Sequence, residues 1–371
     1  MRWSRVIGVV LMVGGSVVAR CRQAQPHVLV GERQRLQLVS QPPIPLTGVL
    51  VGDPHQVVAH PTRALFLVSD RQPPGLYLFS AEGRLVRRVG FRGEGPGEFM
   101  APPQIAVWGD TLLLRGGMRG RVAAYRISDG RLLRDPFLPV LPAALQHWLL
   151  HRQHLILYWA GRRRPVLVEV FDLKARQFTH ALDRPLLTPA HEALLRYYAS
   201  GGLALLGNSI VLATPADAPH IYFLDLRSGR QGSWRRLEDP DFQVRPPPDL
   251  EALLQQGKWK AYREQWVDYL TTNSRTRGLF VLQDRYLVVQ LEHGQGPEKR
   301  WLRLLVINPA TRQEIDRIPF PLRLRAQYSL HYSSFATARD SCLYLKRYLE
   351  GQDRWALWPW CLEPVPSDRS P

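Results

Sequence analysis

Lysine is nearly absent from this chain: it occurs only at positions 174, 258, 260, 299 and 346, so 44 of the 49 basic residues are arginine. The bias runs along the whole sequence and is better explained by the base composition of the coding genome than by one ligand. Cysteine is scarce at three residues, and no Cys-x-x-Cys or His-Cys cluster occurs, which leaves a zinc-ligand arrangement without support. There is no Gly-x-Ser-x-Gly elbow, no His-Glu-x-x-His and no Walker loop, so the motif-borne forms of serine hydrolysis, zinc proteolysis and nucleoside triphosphate binding are excluded. Charged residues make up 22% of the chain and hydrophobic ones 45%, a composition that excludes a disordered polymer and permits a large core.

The net charge of +17 resembles a nucleic-acid signature until it is dissected. Arg2, Arg5, Arg20 and Arg22 account for four of those charges within the first 24 residues, which hold no acid. The remaining excess makes a basic surface that favours polyanions or anionic membrane surfaces in a salt-sensitive way.

What is present is a repeat. Six times a short apolar run is followed by a polar gap and a second alternating run that ends in a turn such as Ala81-Glu82-Gly83-Arg84 or Ser128-Asp129-Gly130-Arg131. The first runs begin near Leu65, Leu112, Leu155, Ile210, Tyr286 and Cys342, and their partners near Leu76, Val122, Val166, Ile221, Leu302 and Trp355. Spacings of 47, 43, 55, 76 and 56 residues between first runs lie in the range of propellers, solenoids and arrays. Because the unit is built from strands, the expected fold is all-β, a six-bladed β-propeller of four-stranded antiparallel blades spanning residues 25–371. The second repeat shows the layout: Ile105–Trp108 innermost, then Thr111–Arg115, Arg121–Ile127 and, across the turn at Asp129-Gly130, Arg131–Arg134.

The junction Gly90-Phe-Arg-Gly-Glu-Gly-Pro-Gly-Glu-Phe99, with Pro102-Pro103 and Ile105-Ala106-Val107 after it, resembles the blade junction of NHL-repeat propellers, a likeness shared with exported TolB-like propellers. Ser69-Asp70 looks like the strand-ending acid of that family, although Arg115-Gly116 stands at the corresponding place in the second repeat. The likeness covers about residues 55–137, and the later repeats match in strand order and turn placement only. A phosphate-cradling loop needs its glycines between a strand and a helix, whereas Gly93, Gly95 and Gly97 lie between two strands and are expected to be loop geometry.

Closure is expected at the termini. Beyond Cys361 only Leu362–Pro371 remain, too proline-rich and polar for another strand, so the sixth sheet lacks one member. Val28–Gly31 or Arg35–Val39 can supply it, removing an open sheet edge. Ahead of them, residues 1–24 read as a signal peptide: Arg2 and Arg5 precede an apolar run from Val6 to Ala19, about the length of a secretory core and short for a membrane span. Val18-Ala19-Arg20-Cys21 resembles a lipoprotein box with Arg20 where a small residue belongs, so Cys21 is a candidate for lipidation and for membrane association through the N-terminus. The expected compartment is the periplasm or cell envelope. There the hairpin Cys342–Tyr348 and Arg354–Cys361, turning about Gly351-Gln352, places Cys342 opposite Cys361 within disulfide reach; two buried free thiols are the alternative.

Two insertions join the outer strand of one blade to the inner strand of the next, and such connections emerge on one face. A short helix is expected over Ala190–Tyr198, after Thr188 and Pro189. The larger insertion covers 246–270, between blades four and five, the next strand being expected to begin at Leu279; Asp249 is a good N-cap for a stripe formed by Leu250, Leu253, Leu254, Ala261, Tyr262, Trp266, Tyr269 and Leu270, with Gly257 placed to split it. Trp259, Tyr262 and Trp266 are the ligand-face candidates beside the channel mouth, the alternative being that they pack the helix onto the blades. His147, His151 and His154 mimic a helical metal face in spacing but fall in strands, where that spacing does not apply.

No catalytic, cofactor or metal-binding residue is assigned. Two functions of different class follow: an exported, monomeric, non-catalytic propeller that binds a protein, peptide or glycan on its insertion-bearing face, or a metal-assisted lyase or lactonase whose ligands gather around the channel. Nucleic-acid binding, known of some intracellular NHL proteins, sits poorly with an export signal.

Overall fold

The computed structural model describes residues 36–116, 120–138, 145–159, 166–183, 201–216, 218–245, 248–294, 300–320 and 335–365. Within them six four-stranded antiparallel sheets stand radially, as expected from the repeat. The first blade is β3 (Pro54–Ala59), β4 (Leu65–Arg71), β5 (Pro74–Ser80) and β6 (Leu85–Val89), preceded by β1 (Leu36–Ser40) and the two-residue β2 (Ile44–Pro45). The second is β7 (Gln104–Trp108), β8 (Thr111–Arg115), β9 (Val122–Arg126) and β10 (Leu132–Leu138). The third is β11 (Leu145–His151), β12 (His154–Trp159), β13 (Val166–Asp172) and β14 (Gln177–Asp183). The fourth is β15 (Gly202–Leu206), β16 (Ile210–Thr214), β17 (His220–Asp225) and β18 (Gln231–Arg236). The fifth is β19 (Arg275–Leu282), β20 (Tyr286–Gly294), β21 (Arg300–Ile307) and β22 (Glu314–Pro319). The sixth has β23 (Phe335–Arg339), β24 (Cys342–Leu349) and β25 (Arg354–Pro364), completed as a four-stranded blade by β1, with the two-residue β2 pairing further along β25. The six first runs read from sequence are the second strands of the blades, and their partners are the third.

Strand alternation explains the packing. Successive residues of a strand face opposite sides of its blade, so Phe66 and Val68 of β4 pack toward blade six while Leu67 packs toward blade two. The same division yields six apolar layers among the described residues, one between each neighbouring pair of blades. The inner strands β3, β7, β11, β15, β19 and β23 lie beside one another in that order and return to β3, enclosing the channel.

The ring is closed by β1, which pairs antiparallel with β25 from Leu36↔Pro364 to Ser40↔Trp360. Leu36 also donates its backbone N–H to Asp316 of β22 at 2.8 Å, so the closing strand is tied to blade five as well. Arg35–Val39 therefore overlaps the segment that fills the vacancy. Val28–Gly31, the signal peptide expected at 1–24 with Cys21, and the helix expected over Ala190–Tyr198 lie outside the described residues.

Within the stretch of β25 that pairs with β1, Cys361 faces both Val39 of β1 and Cys342 of β24, and the two cysteines are joined as a disulfide with Cα atoms 3.9 Å apart. The link closes a 19-residue hairpin beside the closing strand. Mass mapping of unreduced mature protein should find the two peptides linked, and replacing both cysteines with serine should cost roughly 2–4 kcal/mol. Free thiols at both positions in the unreduced protein would contradict this.

One boundary differs from the sequence expectation. The inner strand of blade five begins at Arg275 rather than Leu279: Arg275, Thr276 and Arg277 are polar enough to look like loop, but Arg275 and Thr276 pair with Glu292 and Leu291 of β20, and Arg277 falls at a register shift before Gly278.

Candidate functional site

The insertion consists of helix α1 (Leu250–Gln255) and helix α2 (Trp259–Thr272). Asp249 caps α1, its carboxylate accepting the backbone N–H of Ala252 at 3.0 Å. Gly257 takes a φ of +68°, a conformation that favours glycine, and separates the two helices. The root is welded to blade five: Asn273 donates to the carbonyl of Tyr269 and accepts from the N–H of Arg245, while Ser274 shares hydrogen bonds with Asp241, Gln243 and His293. His293 stacks on Trp301 at 4.1 Å, and Arg303 covers that ring while reaching Asp239 at 2.6 Å and Asp241 at 2.7 Å. Gly294 has to be glycine here, since a Cβ would lie 2.1 Å from the carbonyl oxygen of Thr271.

The aromatic stripe of α2 changes character along its length. Tyr269 is buried at 4% exposure, and Trp266, half-buried, packs on it at 5.8 Å. Tyr262 is half-buried and meets Trp259 edge-on at 6.3 Å, and Trp259 itself is 69% exposed. The C-terminal half of the stripe is thus packing and the N-terminal half is surface, flanked by exposed Lys258, Lys260 and Arg263. The cations are offset by Glu264, 4.0 Å from Lys260. On another side of α2 a cleft of about 510 Å³ is lined by Arg245, Glu264, Asp268, Tyr269 and Thr272.

Three residues past the end of α2, the chain enters the channel wall. Arg275 forms a forked pair with Glu292 at 2.7 and 3.2 Å, and Arg277 reaches the same carboxylate at 2.8 Å. Lys346 of β24, only 5% exposed, donates to the carbonyls of Pro54 at 3.0 Å and His55 at 3.1 Å. Arg71 contacts His55 at 3.0 Å and Asp53 at 3.5 Å. Asp70, the strand-ending acid, is fully buried and accepts the backbone N–H groups of Gly52, Asp53 and Gln72, which fixes the loops of blade one at this end. Arg115 donates to Gln104 at 2.8 Å in blade two.

These charges act on one another across the ring. Burial, with Arg71 and Arg277 adding to it and Asp53 opposing, draws the Lys346 ammonium down to about 7. Burial, then Arg71 and Lys346, brings His55 to about 4, and burial with Arg277 brings His147 of blade three to about 4. Both imidazoles are neutral in the folded protein at pH 7 but bind protons in the unfolded chain below about 6.5, so the stability they contribute falls as pH drops from 6.5 toward 4. The carboxylates held low by hydrogen bonds, Asp110, Asp172 and Asp225, lose their contribution only below 3.8. A melting-temperature profile should therefore already fall between pH 6.5 and 4, and His147→Gln should flatten that part. A flat profile in the wild type down to pH 4 would contradict the burial of these rings.

Of the residues singled out from sequence, Trp259, Tyr262 and Trp266 share one helix face, while Cys342 and Cys361 meet at the other end of blade six. His151 and His154 pair across the β11–β12 hairpin, and His147 stands on the inner strand β11 opposite Tyr158. Gly93, Gly95 and Gly97 are loop geometry: Glu98 accepts the N–H of Gly95 and Asp135 that of Gly97. Arg275, Arg277, Glu292, Lys346 and His55 were not singled out. They come from three blades and form no contiguous motif.

The architecture defines the class of protein: a six-bladed β-propeller with a helical wall on one face. Residues 47–163 match a family model described as a 6-bladed beta-propeller, DUF5128. Over nearly the whole chain the fold is similar to a member of the DUF4221 family from Bacteroides vulgatus, at 10% identity and a TM-score of 0.62, covering 90% of this chain and 100% of that one. It is also similar to a Bacteroides fragilis protein described as exported, at 13% identity and a TM-score of 0.58, covering 91% and 98%. At such identities the likeness is one of fold, and the NHL-like junction remains a local resemblance. No curated protein matches the chain. Among the described residues no helix is long and apolar enough to cross a membrane, and no three His, Cys, Asp or Glu side chains converge as a metal site.

Proposed function

We propose that the protein is an exported, non-catalytic binding propeller that holds an acidic protein or peptide segment on its insertion-bearing face. The observation that carries this is the exposed Trp259, seated edge-on against Tyr262 and ringed by Lys258, Lys260 and Arg263 at the free end of a helix whose other end is buried. Large aromatics with a charged rim are the composition of binding hot spots. Export is supported by the apolar N-terminal segment with its flanking arginines and by the exported description of a protein of like fold.

Trp259→Ala with Tyr262→Ala should abolish partner capture from the exported fraction while moving the melting temperature by only a few degrees, since Trp259 contributes little to the core. Trp266→Ala should instead cost roughly 3 kcal/mol of stability, because that ring packs on Tyr269. Undiminished capture by the folded double variant, or capture that glycosidase treatment of the fraction removes and protease treatment spares, would overturn the proposal.

A further inference from the structure

Antiparallel order puts the turns between first and second strands, and those between third and fourth, at one end of every blade, opposite the helical insertion that joins β18 to β19. At that end the turns of blades three and four carry Arg152, Lys174, Arg176, Arg227 and Arg230, all exposed. Among the described residues none of the five is in an ion pair. The two acids beside them are committed to their own turns. Asp172 accepts the N–H groups of Lys174 and Ala175, each at 2.8 Å, and Asp225 accepts the N–H of Arg227 at 3.0 Å and the hydroxyl of Ser228 at 2.6 Å. The third-to-fourth turn of blade four lies on the outer strand of blade three, since a Cβ at Gly229 would stand 3.5 Å from the His180 ring of β14.

On that same outer strand, two residues past Arg176, Phe178 is 49% exposed. Val86 of β6 and Leu133 of β10 hold the equivalent position, two residues past the exposed turn cations Arg84 and Arg131, at 52% and 47% exposure. Single apolar residues scattered over a surface need no explanation, but three successive blades repeat this one at the same place beside a turn cation. The chain also enters the ring here: β1 is the outer strand of blade six and antiparallel to β25, so Leu36 starts at the end where the other blades turn from third to fourth strand. An N-terminal anchor, at Cys21 or in the apolar run before it, would therefore reach the propeller at this end.

We propose that the end of the ring opposite the insertion rests on an anionic phospholipid bilayer, the phosphate groups meeting the turn cations of blades three and four while Phe178, Leu133 and Val86 enter the interface. Cations beside exposed apolar side chains are the composition of surfaces that lie on lipid. Single-stranded nucleic acid instead calls for several stacking rings along a basic groove, and Phe178 is the one aromatic among the exposed large hydrophobics of the described residues at this end. Resting there, the ring would turn its insertion away from the bilayer and leave it free for a partner, a property beyond the binding role proposed above.

The test is sedimentation of the unacylated mature protein, residues 25–371, with vesicles of phosphatidylcholine containing about one third phosphatidylglycerol, at about 0.1 M salt. Binding is expected to these vesicles and none to pure phosphatidylcholine. A variant with Lys174→Gln, Arg176→Asn, Arg227→Gln and Arg230→Gln should bind at least about a hundredfold more weakly, each cation near an anionic surface being worth about fivefold. Asn suits position 176, where φ is 56°. If that variant fails to melt cooperatively, Lys174→Gln with Arg230→Gln serves, with a loss of about twentyfold expected. Removing the same charge from the insertion-side end, with exposed Arg92, Arg236, Arg347 and Arg354 each changed to Gln, should leave binding within about threefold of the wild type, because those charges stand beyond the reach of screened attraction. Leu133→Ser with Phe178→Ser should weaken binding by about tenfold without changing its dependence on salt, since apolar contact is not screened. Failure to bind the anionic vesicles, or equal weakening in the two charge-matched variants, would overturn the proposal, the second by showing only the general attraction of a basic chain. Tighter binding to duplex DNA than to the anionic vesicles at the same salt would assign this end to nucleic acid and overturn it as well. Any of these failures leaves partner capture by Trp259 and Tyr262 untouched, and loss of capture in their double variant leaves vesicle binding standing.

Discussion

Deleting residues 36–40 is expected to unfold the ring rather than trim it. β1 is the outer strand of the sixth sheet, and its removal breaks a ladder of hydrogen bonds worth about 1 kcal/mol each. It also uncovers the layer between blades five and six, into which Leu36 and Leu38 pack, at roughly 1.5–3 kcal/mol per side chain. Together these approach the whole stability of an ordinary domain, about 5–15 kcal/mol. The edge of β25 thereby exposed is long and apolar, Trp358, Trp360 and Leu362 among its residues, and would template aggregation. The truncated chain should lose more than about 10 °C of melting temperature or show no cooperative transition, a larger shift than the few degrees per kcal/mol expected at this size. Melting alongside the full mature chain would show that the ring closes some other way.

Glu292→Ala should be the most damaging single substitution at the channel end. The carboxylate is shared by Arg275 and Arg277 with side chains almost wholly out of solvent, and removing one partner of a buried ion pair typically costs about 3–5 kcal/mol. Chemical denaturation should show that loss in Glu292→Ala and a smaller one in Glu292→Gln, which keeps an acceptor oxygen. A change under about 1 kcal/mol in the alanine variant would mean that the guanidinium groups are satisfied without it.

The architecture was legible because each blade repeats one pattern. Apolar second strands such as β4, with Phe66–Val68, and β8, with Leu112–Leu114, are buried on both faces and bounded by turn residues, so their starts were readable within a residue or two. The hairpin register followed from its turn, since antiparallel pairing about Gly351-Gln352 allows only one partner for Cys342. Asp249 and Gly257 marked the helix ends because capping and positive φ restrict residue choice. The channel end was not legible for the same physical reason that β19 was begun too late. Side chains that line a channel are polar, and polar residues at a strand start look like loop. Their partners are far away in sequence, Arg277 and His147 lying on different blades. One signal was present: Lys346 is one of only five lysines in an arginine-rich chain and sits in the middle of an apolar strand, where a compact charge on a flexible stem shifts its protonation more readily than arginine can. The stripe of α2 was ambiguous because helical spacing alone cannot separate packing from display, and the structure divides it between the two.

The most direct test of the binding face is site-specific photo-crosslinking in the exporting cell, with the reactive residue placed at Arg263 on the outer surface of α2 or at Glu82 on a turn at the opposite face. The account predicts a discrete protein adduct from position 263, lost when Trp259 and Tyr262 are both alanine, and none from position 82. Adducts from position 82 alone, or an adduct from 263 that survives the double substitution, would contradict it.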